Sequence, residues 1–514
     1  MEFNKQAFLE FQHALVEAIE ARKDGPVLPS LAVLRHAIGT FPATLPCAGH
    51  GLEATARHLI EDILPGLSCS SLSPRYYGFI TGGCTPAALL ADNLVSALDQ
   101  NVQVHLPQET LATDIEMKAI NMLKELISLE ALWKGTFTSG SSVSNLMGIA
   151  CGREYVLSKR GSANQGEIGL FDACILAGIK GFQLLVTRHH PSIIKAAKLL
   201  GMGCKSIKQV GFTDKPWEID FELLEKELQA PQIASIISVS CGEVMTGQFG
   251  TDGDGMVKLR ALCDKYNAWL HVDAAFGLFA RALPATPEFT YLRWAAAGLE
   301  MADSITGDGH KLLNVPYDCG FFFSRHPNVI KAVFETPPIA YFATELDSTI
   351  PSPLNVGVQN SRRLRALPVY ATLKAYGRSG HEDMIARQVH VARTIAAFLL
   401  DSPDYELLPL RKNMVKEQIL ERVYMLILFR ARDESLNRNL LRLVNAKNQA
   451  YLSGGMWEDK PAVRMAVSNW RADVGREERI LTKMLEEIVS DWKKNHSDEY
   501  LRPTLKSVFA KPRI

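Results

Sequence analysis

Residues 307–325, GDGHKLLNVPYDCGFFFSR, set His310 and Lys311 side by side between glycines and an apolar run. An amine held among glycine backbone and apolar side chains is poorly solvated as an ammonium, and the neutral form can make a Schiff base with an aldehyde. A solvated loop lysine is the alternative. Asp273 closes the apolar run in HVDAAFGLF (271–279). A carboxylate there must find a cation or hydrogen-bond donors, in a structural ion pair or in a site. TFTSGSSVSNLMGIA (136–150) is a Gly/Ser-rich turn feeding a helix-compatible run. Its backbone N–H groups and the hydroxyls of Ser141 and Ser142 suit a phosphate, although a plain serine-capped helix has the same pattern. TRHHPSIIKAA places His189 and His190 just after a strand. Adjacent side chains on a turn seldom converge on a metal, and no carboxylate or thiol follows at ligand spacing. An imidazole stacked on a flat heterocycle is the better functional reading. A phosphate cradle, a strand-end aspartate, a stacking histidine and an imine-forming lysine are together what pyridoxal 5'-phosphate requires.

The elements that must bring these residues together are legible as alternating patterns. FQLLVT (182–187), IASIISVS (233–240), AWLHVDAA (268–275) and GFFFS (320–324) read as strands. Between them PSIIKAAKLLG, WEIDFELLEKELQA and MVKLRALCDKYNA read as helices. Strands alternating with helices of this length predict parallel crossover units in an α/β layer domain, with the ligand beyond the carboxyl ends of the strands. At the start, Phe3, Phe8, Phe11, Leu15 and Ile19 mark an amphipathic helix whose stripe needs a partner surface. From about 379–385 onward the chain is helix-rich, with VYMLILFRA (423–431) and AVRMAVSNW (462–470) as strands of a smaller α+β domain. The resulting division is an N-terminal helical segment (1–84), a large α/β domain (85–380) and a small α+β domain (381–514).

Composition narrows the function. The 514 residues are 47% apolar, and 56 basic side chains balance 56 acidic ones without a long like-charge run, so the signature of a nucleic-acid-binding protein is missing. No cationic leader precedes an apolar core at the N-terminus, and no 18 apolar residues run together, which speaks against secretion and membrane spanning. The nine cysteines include no CxxC pair and read as reduced core thiols of a cytoplasmic protein. GTDGDG (250–255) has neither the spacing of a dinucleotide-binding loop nor the carboxylate ladder of a calcium loop, and reads as a connector.

With these motifs in place, the chain resembles the group II pyridoxal-phosphate-dependent decarboxylases, which include the glutamate, aromatic amino acid and diaminobutyrate enzymes. The resemblance runs from about residue 70 to about residue 380, with an echo at SNWR (468–471). It implies a fold-type I architecture built on a mainly parallel seven-stranded sheet, and a homodimer with sites at the subunit interface. It makes Lys311, in SITGDGHK, the Schiff-base lysine. It puts Ser304, His310, Ser141 and Ser142 near the phosphate, and Asp273 opposite the pyridine nitrogen. Ala275 falls under the ring, His190 stacks on it and Thr246 of GEVMTGQFGTD lies beside it. SPRYYGFITGGCTPAALLAD (73–92) matches the substrate entrance, making Phe79 and Thr81 candidate contacts. The partner subunit would supply Asn101 and Gln103, polar groups that favour a substrate able to pair with them. Arg75 and Arg471 suit a substrate carboxylate or an internal ion pair. The implied reaction is decarboxylation of an L-amino acid to an amine, through a cofactor–substrate imine and a quinonoid.

Two departures bear on that reaction. Members of the family carry a mobile-loop tyrosine that protonates Cα some nine residues before an Arg-Arg-x-Arg segment. Here the segment is SRRLRALP (361–368), and the preceding TIPSPLNVGVQN has no tyrosine. Tyr341, about twenty residues upstream, is the nearest candidate. Members without that tyrosine divert the intermediate to oxygen and release an aldehyde, so an aldehyde synthase is the alternative outcome. A tyrosine placed at Pro353 is expected to return the product to amine. The second departure is glycine at 307 and 309, which implies a roomier backbone beside the lysine. A catalytically silent scaffold would have lost Lys311 or Asp273, and both are present.

Overall fold

The structure, a computed structural model, describes residues 5–22, 25–336, 349–409 and 413–495. In chain order the strands are β1 (Asn101–Val102), β2 (Lys134–Thr138), β3 (Gly181–Val186), β4 (Ile207–Gln209), β5 (Ile233–Ser240), β6 (Trp269–Asp273), β7 (Ser304–Asp308), β8 (Gly320–Ser324), β9 (Arg362–Arg363), β10 (Tyr405–Leu408), β11 (Leu426–Ala431), β12 (Ser453–Trp457) and β13 (Lys460–Ala466). Seven of them form the central sheet in the order β2-β8-β7-β6-β5-β3-β4. β5 and β6 are buried on both faces because helices cover the sheet from both sides, as parallel sheets require.

The expected crossovers hold from β3 to β7, whose mutual pairings are parallel. β8 runs antiparallel to both its neighbours. Residues 309–319, which join β7 to β8, include only the helical turn Gly309–Leu312, too little for the helix that a parallel return needs. That tight return carries Lys311 and holds it at the carboxyl end of β7.

Local signals explain the flanking helices. His190 caps Pro191–Leu199, with Pro191 in the first turn where its missing N–H costs nothing. Asp252 accepts from Gly255 N at the start of Gly253–Tyr266, and Asn267 closes that helix in the left-handed region (φ 52°). The helix predicted from Trp217 begins only at Phe221, because Asp220 accepts from Glu222 N and Leu223 N and sets the cap there.

Beyond β9, a long helical element, Ala366–Asp401, is broken at Gly377, whose φ of 59° only glycine adopts freely. The second sheet, β10-β11-β13-β12, is antiparallel throughout. Its core of Val391, Ile395, Leu399, Phe429, Leu440 and Leu485 is separate from the one around β5 and β6. Tyr77 joins this second core, and its hydroxyl donates to Glu477 Oε2 at 2.8 Å. At the other end of the chain the helix Lys5–Arg22 leaves Phe8 and Leu9 exposed and only half-covers Phe11, Leu15 and Ile19.

Candidate active site

At the carboxyl ends of β5, β6 and β7 a cleft of about 740 Å³, open mouth included, is lined by Ser141, His190, Asp273, Ala275, Lys311 and Arg464, with Phe79, Phe276 and Tyr317 as apolar walls. Lys311 Nζ lies 3.0 Å from Asp308 Oδ2 and 5.8 Å from the centre of the Phe276 ring. The lysine is therefore not surrounded by apolar groups alone, as the sequence suggested, but ion-paired. Asp308 Oδ1 in turn accepts from Ser141 N at 2.7 Å, at the start of the helix Ser141–Ser158. Burial by itself would raise the Asp308 carboxyl. The charges of Lys311 and His310 and the bonds from Lys311 and Ser141 more than offset it and hold the group below its ordinary range.

Asp273, at the end of β6, accepts from Asn145 Nδ2 at 2.8 Å and from Ala275 N at 3.2 Å. His190 accepts at Nδ1 from Ser192 N at 3.2 Å, with Ser192 Oγ 2.8 Å from the same nitrogen. Burial lowers its pKa against the pull of Asp273, favouring the neutral ring. His310 accepts at Nδ1 from Cys319 N at 3.2 Å, points Nε2 toward Asp308 Oδ2 at 3.7 Å and stacks on Tyr317 at 4.0 Å between ring centres.

Several sequence expectations need correction. Ser304 sits at the opposite end of β7 from the cleft, where its hydroxyl oxygen accepts from Trp269 Nε1 at 3.1 Å and lies 2.8 Å from His271 Nδ1. Three residues of strand separate it from Asp308, so it cannot reach a phosphate at the cleft. Thr246 is buried, and its N–H and hydroxyl both donate to Glu243 Oε1; Gly242 and Val244 of the same turn line the cleft, but Thr246 itself does not. Ser142 is exposed beyond the lining, and of the two serines only Ser141 faces the cleft. The glycines at 307 and 309 do not make room. A Cβ on Gly307 would fall 2.0 Å from the Phe321 ring, and one on Gly309 2.9 Å from Cys319 Sγ. Pro353 is buried in its own chain, where it lines a small pocket with Thr113, Glu116 and Met117 away from the cleft, so a tyrosine there would have to be fitted into buried surroundings. Tyr341 lies outside the described residues.

At the entrance, Phe79 lines the cleft, while Thr81 stands behind it as a hydrogen-bond partner of Tyr317. Asn101, exposed on β1, and Gln103, whose carbonyl accepts from Leu354 N, lie away from this chain's own cleft. Arg75 and Arg471 turn inward. The first donates to Gln449 O and sits 3.9 Å from Glu477, and the second donates to Leu72 O.

The residues missed by sequence reading are Asp308, Asn145 and Arg464. Arg464, on β13, donates from Nε to Val244 O at 2.7 Å and from Nη1 to Phe79 O at 2.9 Å. Burial pulls its guanidinium down to about 10, so it stays cationic at neutral pH. Phe79 holds φ at 58°, a strained value for a bulky residue, and that twist aims its carbonyl at Arg464. The signal in the sequence was a lone arginine inside the apolar strand AVRMAV.

The donor set suits pyridoxal phosphate by its own chemistry: an amine for the aldehyde, a buried carboxylate for the ring nitrogen, a flat imidazole and a helix start for an anion. Comparisons with known proteins agree. The family model described as the pyridoxal-dependent decarboxylase conserved domain matches residues 38–420. An L-2,4-diaminobutyrate decarboxylase of Acinetobacter baumannii is 23% identical over 94% of this chain and 93% of its own length. A 4-hydroxyphenylacetaldehyde synthase of Rhodiola rosea is 24% identical over 81% of each chain. Among solved structures, Oryza sativa TDC with PLP and tryptamine superposes with a TM-score of 0.80 at 20% identity, covering 96% of this chain and 99% of that one.

Proposed function

Because the chain belongs to the pyridoxal-dependent decarboxylase family, we propose that it removes the α-carboxylate of an L-amino acid as carbon dioxide and releases the amine, with Lys311, Asp273 and His190 as the working residues. The observation that carries this reading is the convergence of those three side chains on one cleft at the carboxyl ends of β5–β7. Bound there, pyridoxal phosphate supplies an electron sink for the bond that breaks at Cα. Lys311 would hold the cofactor through its amine, and Asp308 keeps that side chain directed into the cleft. Asp273 places a fixed negative charge at the ring nitrogen, which favours its protonated form. The Ser141 hydroxyl and the start of the helix Ser141–Ser158 face the phosphate, while the Ser141 N–H stays with Asp308. Arg464 is the cation at the mouth for the substrate carboxylate, fixed in place by two backbone carbonyls. Phe79, Phe276 and Tyr317 give the cleft its apolar walls.

A homodimer is part of this reading. Exposed apolar side chains concentrate in the first 111 residues, with Leu89, Leu90 and Leu94 along Pro86–Ala97 and Leu98 at its C-cap. A stripe of that kind calls for a covering surface. A second subunit there would bring its Asn101 and Gln103 toward the site.

The aldehyde-synthase outcome is the second reading. It is favoured by the tyrosine-free stretch 349–360 and by the matching Rhodiola rosea synthase.

One experiment tests the whole. The cofactor-loaded protein is incubated with a panel of protein and non-protein amino acids, and all products are identified by mass, with oxygen uptake and peroxide followed in parallel. Amine and carbon dioxide without oxygen uptake are expected, whereas aldehyde with ammonia and peroxide selects the second reading. Borohydride treatment should fix the cofactor covalently to the peptide holding residue 311, and Lys311→Ala should abolish both the label and turnover. A label on any other lysine would overturn the assignment.

A further inference from the structure

Beneath the cleft a run of buried hydrogen bonds has its direction fixed at both ends. Trp269 Nε1 can only donate, and it does so to Ser304 Oγ at 3.1 Å. Asp273, as a carboxylate, can only accept, and it takes Asn145 Nδ2 at 2.8 Å. The Asn145 amide is thereby oriented: its Oδ1 faces His271 Nε2 at 2.9 Å, so that nitrogen carries the proton. His271 Nδ1 then accepts from the Ser304 hydroxyl at 2.8 Å. The ring is neutral, in keeping with burial that pulls His271 down to about 4.

The second N–H of Asn145 Nδ2 goes to Ser192 Oγ at 2.9 Å. With its oxygen accepting there, Ser192 spends its own proton on His190 Nδ1 at 2.8 Å, and Ser192 N–H points to the same nitrogen. The His190 proton must therefore reside on Nε2.

We propose that Asn145 is a positioning residue for the reaction. One N–H of its amide holds the Asp273 carboxylate, and the other acts through Ser192 to keep His190 in the Nε2–H form. A single buried side chain thus couples the charge on one side of the cofactor site to the proton position on the ring that covers it. This rests on the roles proposed above for Asp273 and His190, but the hydrogen bonding belongs to the protein alone. The titratable and charged groups facing this network are His189 and His190 on the turn before Pro191–Leu199, Cys241 after β5, His271 on β6, Lys311 and Asp308 after β7, and Arg464 on β13.

The test compares the native protein with Asn145→Asp and Ser192→Ala. Side-chain nitrogen shifts of ¹⁵N-histidine-labelled protein report the tautomer, with His190 identified by the signals missing from His190→Gln. The native protein should show His190 protonated at Nε2 from about pH 6 to about pH 8. Ser192→Ala should lower the ratio of Nε2–H to Nδ1–H by about tenfold, or about 1.4 kcal/mol, and leave the pH dependence of the cofactor's visible absorbance unchanged. Asn145→Asp should shift the tautomer and also add a new titration to that absorbance. At low pH the new carboxyl is protonated and can donate to Asp273 as the amide did, while at high pH two carboxylates face each other. Native His190 carrying its proton on Nδ1 would overturn the proposal, as would a tautomer that neither variant moves. Ser192→Ala keeps the test decisive if Asn145→Asp does not fold. Tautomer shifts need no cofactor, so a protein that failed to take up pyridoxal phosphate would count against the proposed function and leave the network standing.

Discussion

Asp308→Asn separates two effects that one carboxylate combines. In the native protein Asp308 is 1% exposed and pairs with Lys311 at 3.0 Å. At an effective dielectric near 20 that contact has a gross attraction of about 5 kcal/mol. Removing one partner of a buried pair costs about 3–5 kcal/mol, because the remaining charge is stranded. The asparagine oxygen can still accept from Ser141 N, which returns about 1 kcal/mol. The expected loss of stability in the cofactor-free protein is therefore about 2–4 kcal/mol. The pH dependence follows from the direction of the shift. The folded carboxyl titrates below its ordinary value of 3.8, so its contribution is fully present above that value and fades only as pH falls through the lower, folded value. Urea unfolding of both proteins between about pH 5 and about pH 8 should thus give a difference that does not shrink toward pH 5, since loss of Asp308 also makes the buried His310 and His190 harder to charge. A difference that shrinks on going from pH 8 to pH 5 would show the carboxyl picking up its proton there and would refute the reasoning. So would a variant as stable as the native chain.

Two further outcomes follow from the geometry. Arg464→Gln should raise KM by about 10- to 100-fold with little change in kcat, since a charged hydrogen bond to a carboxylate is worth about 1.5–3 kcal/mol; initial rates over a substrate series check this, and a fall in kcat at constant KM would contradict it. Gly307→Ala drives a Cβ into the Phe321 ring at 2.0 Å and should destabilise the protein by about 1–3 kcal/mol or more, read as a lower urea midpoint; unchanged stability would mean the ring can step aside.

Much of this was legible in the chain because the signals were local. The run IASIISVS coincides with β5 to the residue, and Asp273 ends β6 as the pattern HVDAA implies. Lys311, Asp273 and His190, which line one cleft, were legible because each lies at a strand end or in the turn just after one. What failed depended on contacts between distant segments. Ser304 belongs to the SITGDGHK motif, yet strand geometry carries its side chain to the far end of β7 and gives it to Trp269 and His271. The glycines at 307 and 309 looked like space only because Phe321 and Cys319, a dozen residues on, cannot be placed beside them without knowing that β8 returns antiparallel. Arg464 stands about 150 residues from Lys311 in sequence and meets the cleft only because β13 packs behind the Phe79 turn.

The Phe79 turn has one more consequence. Tyr77 O accepts from Ala466 N, Tyr77 N donates to Tyr451 O, and Phe79 O accepts from Arg464, so the substrate-facing jaw is anchored to the C-terminal sheet. The jaw that bears Lys311 and Asp273 is anchored to the central sheet instead. On the roles proposed for Lys311 and Arg464, damage to the Val391–Leu485 core would therefore be expressed as poor capture of substrate with uptake of the cofactor unchanged.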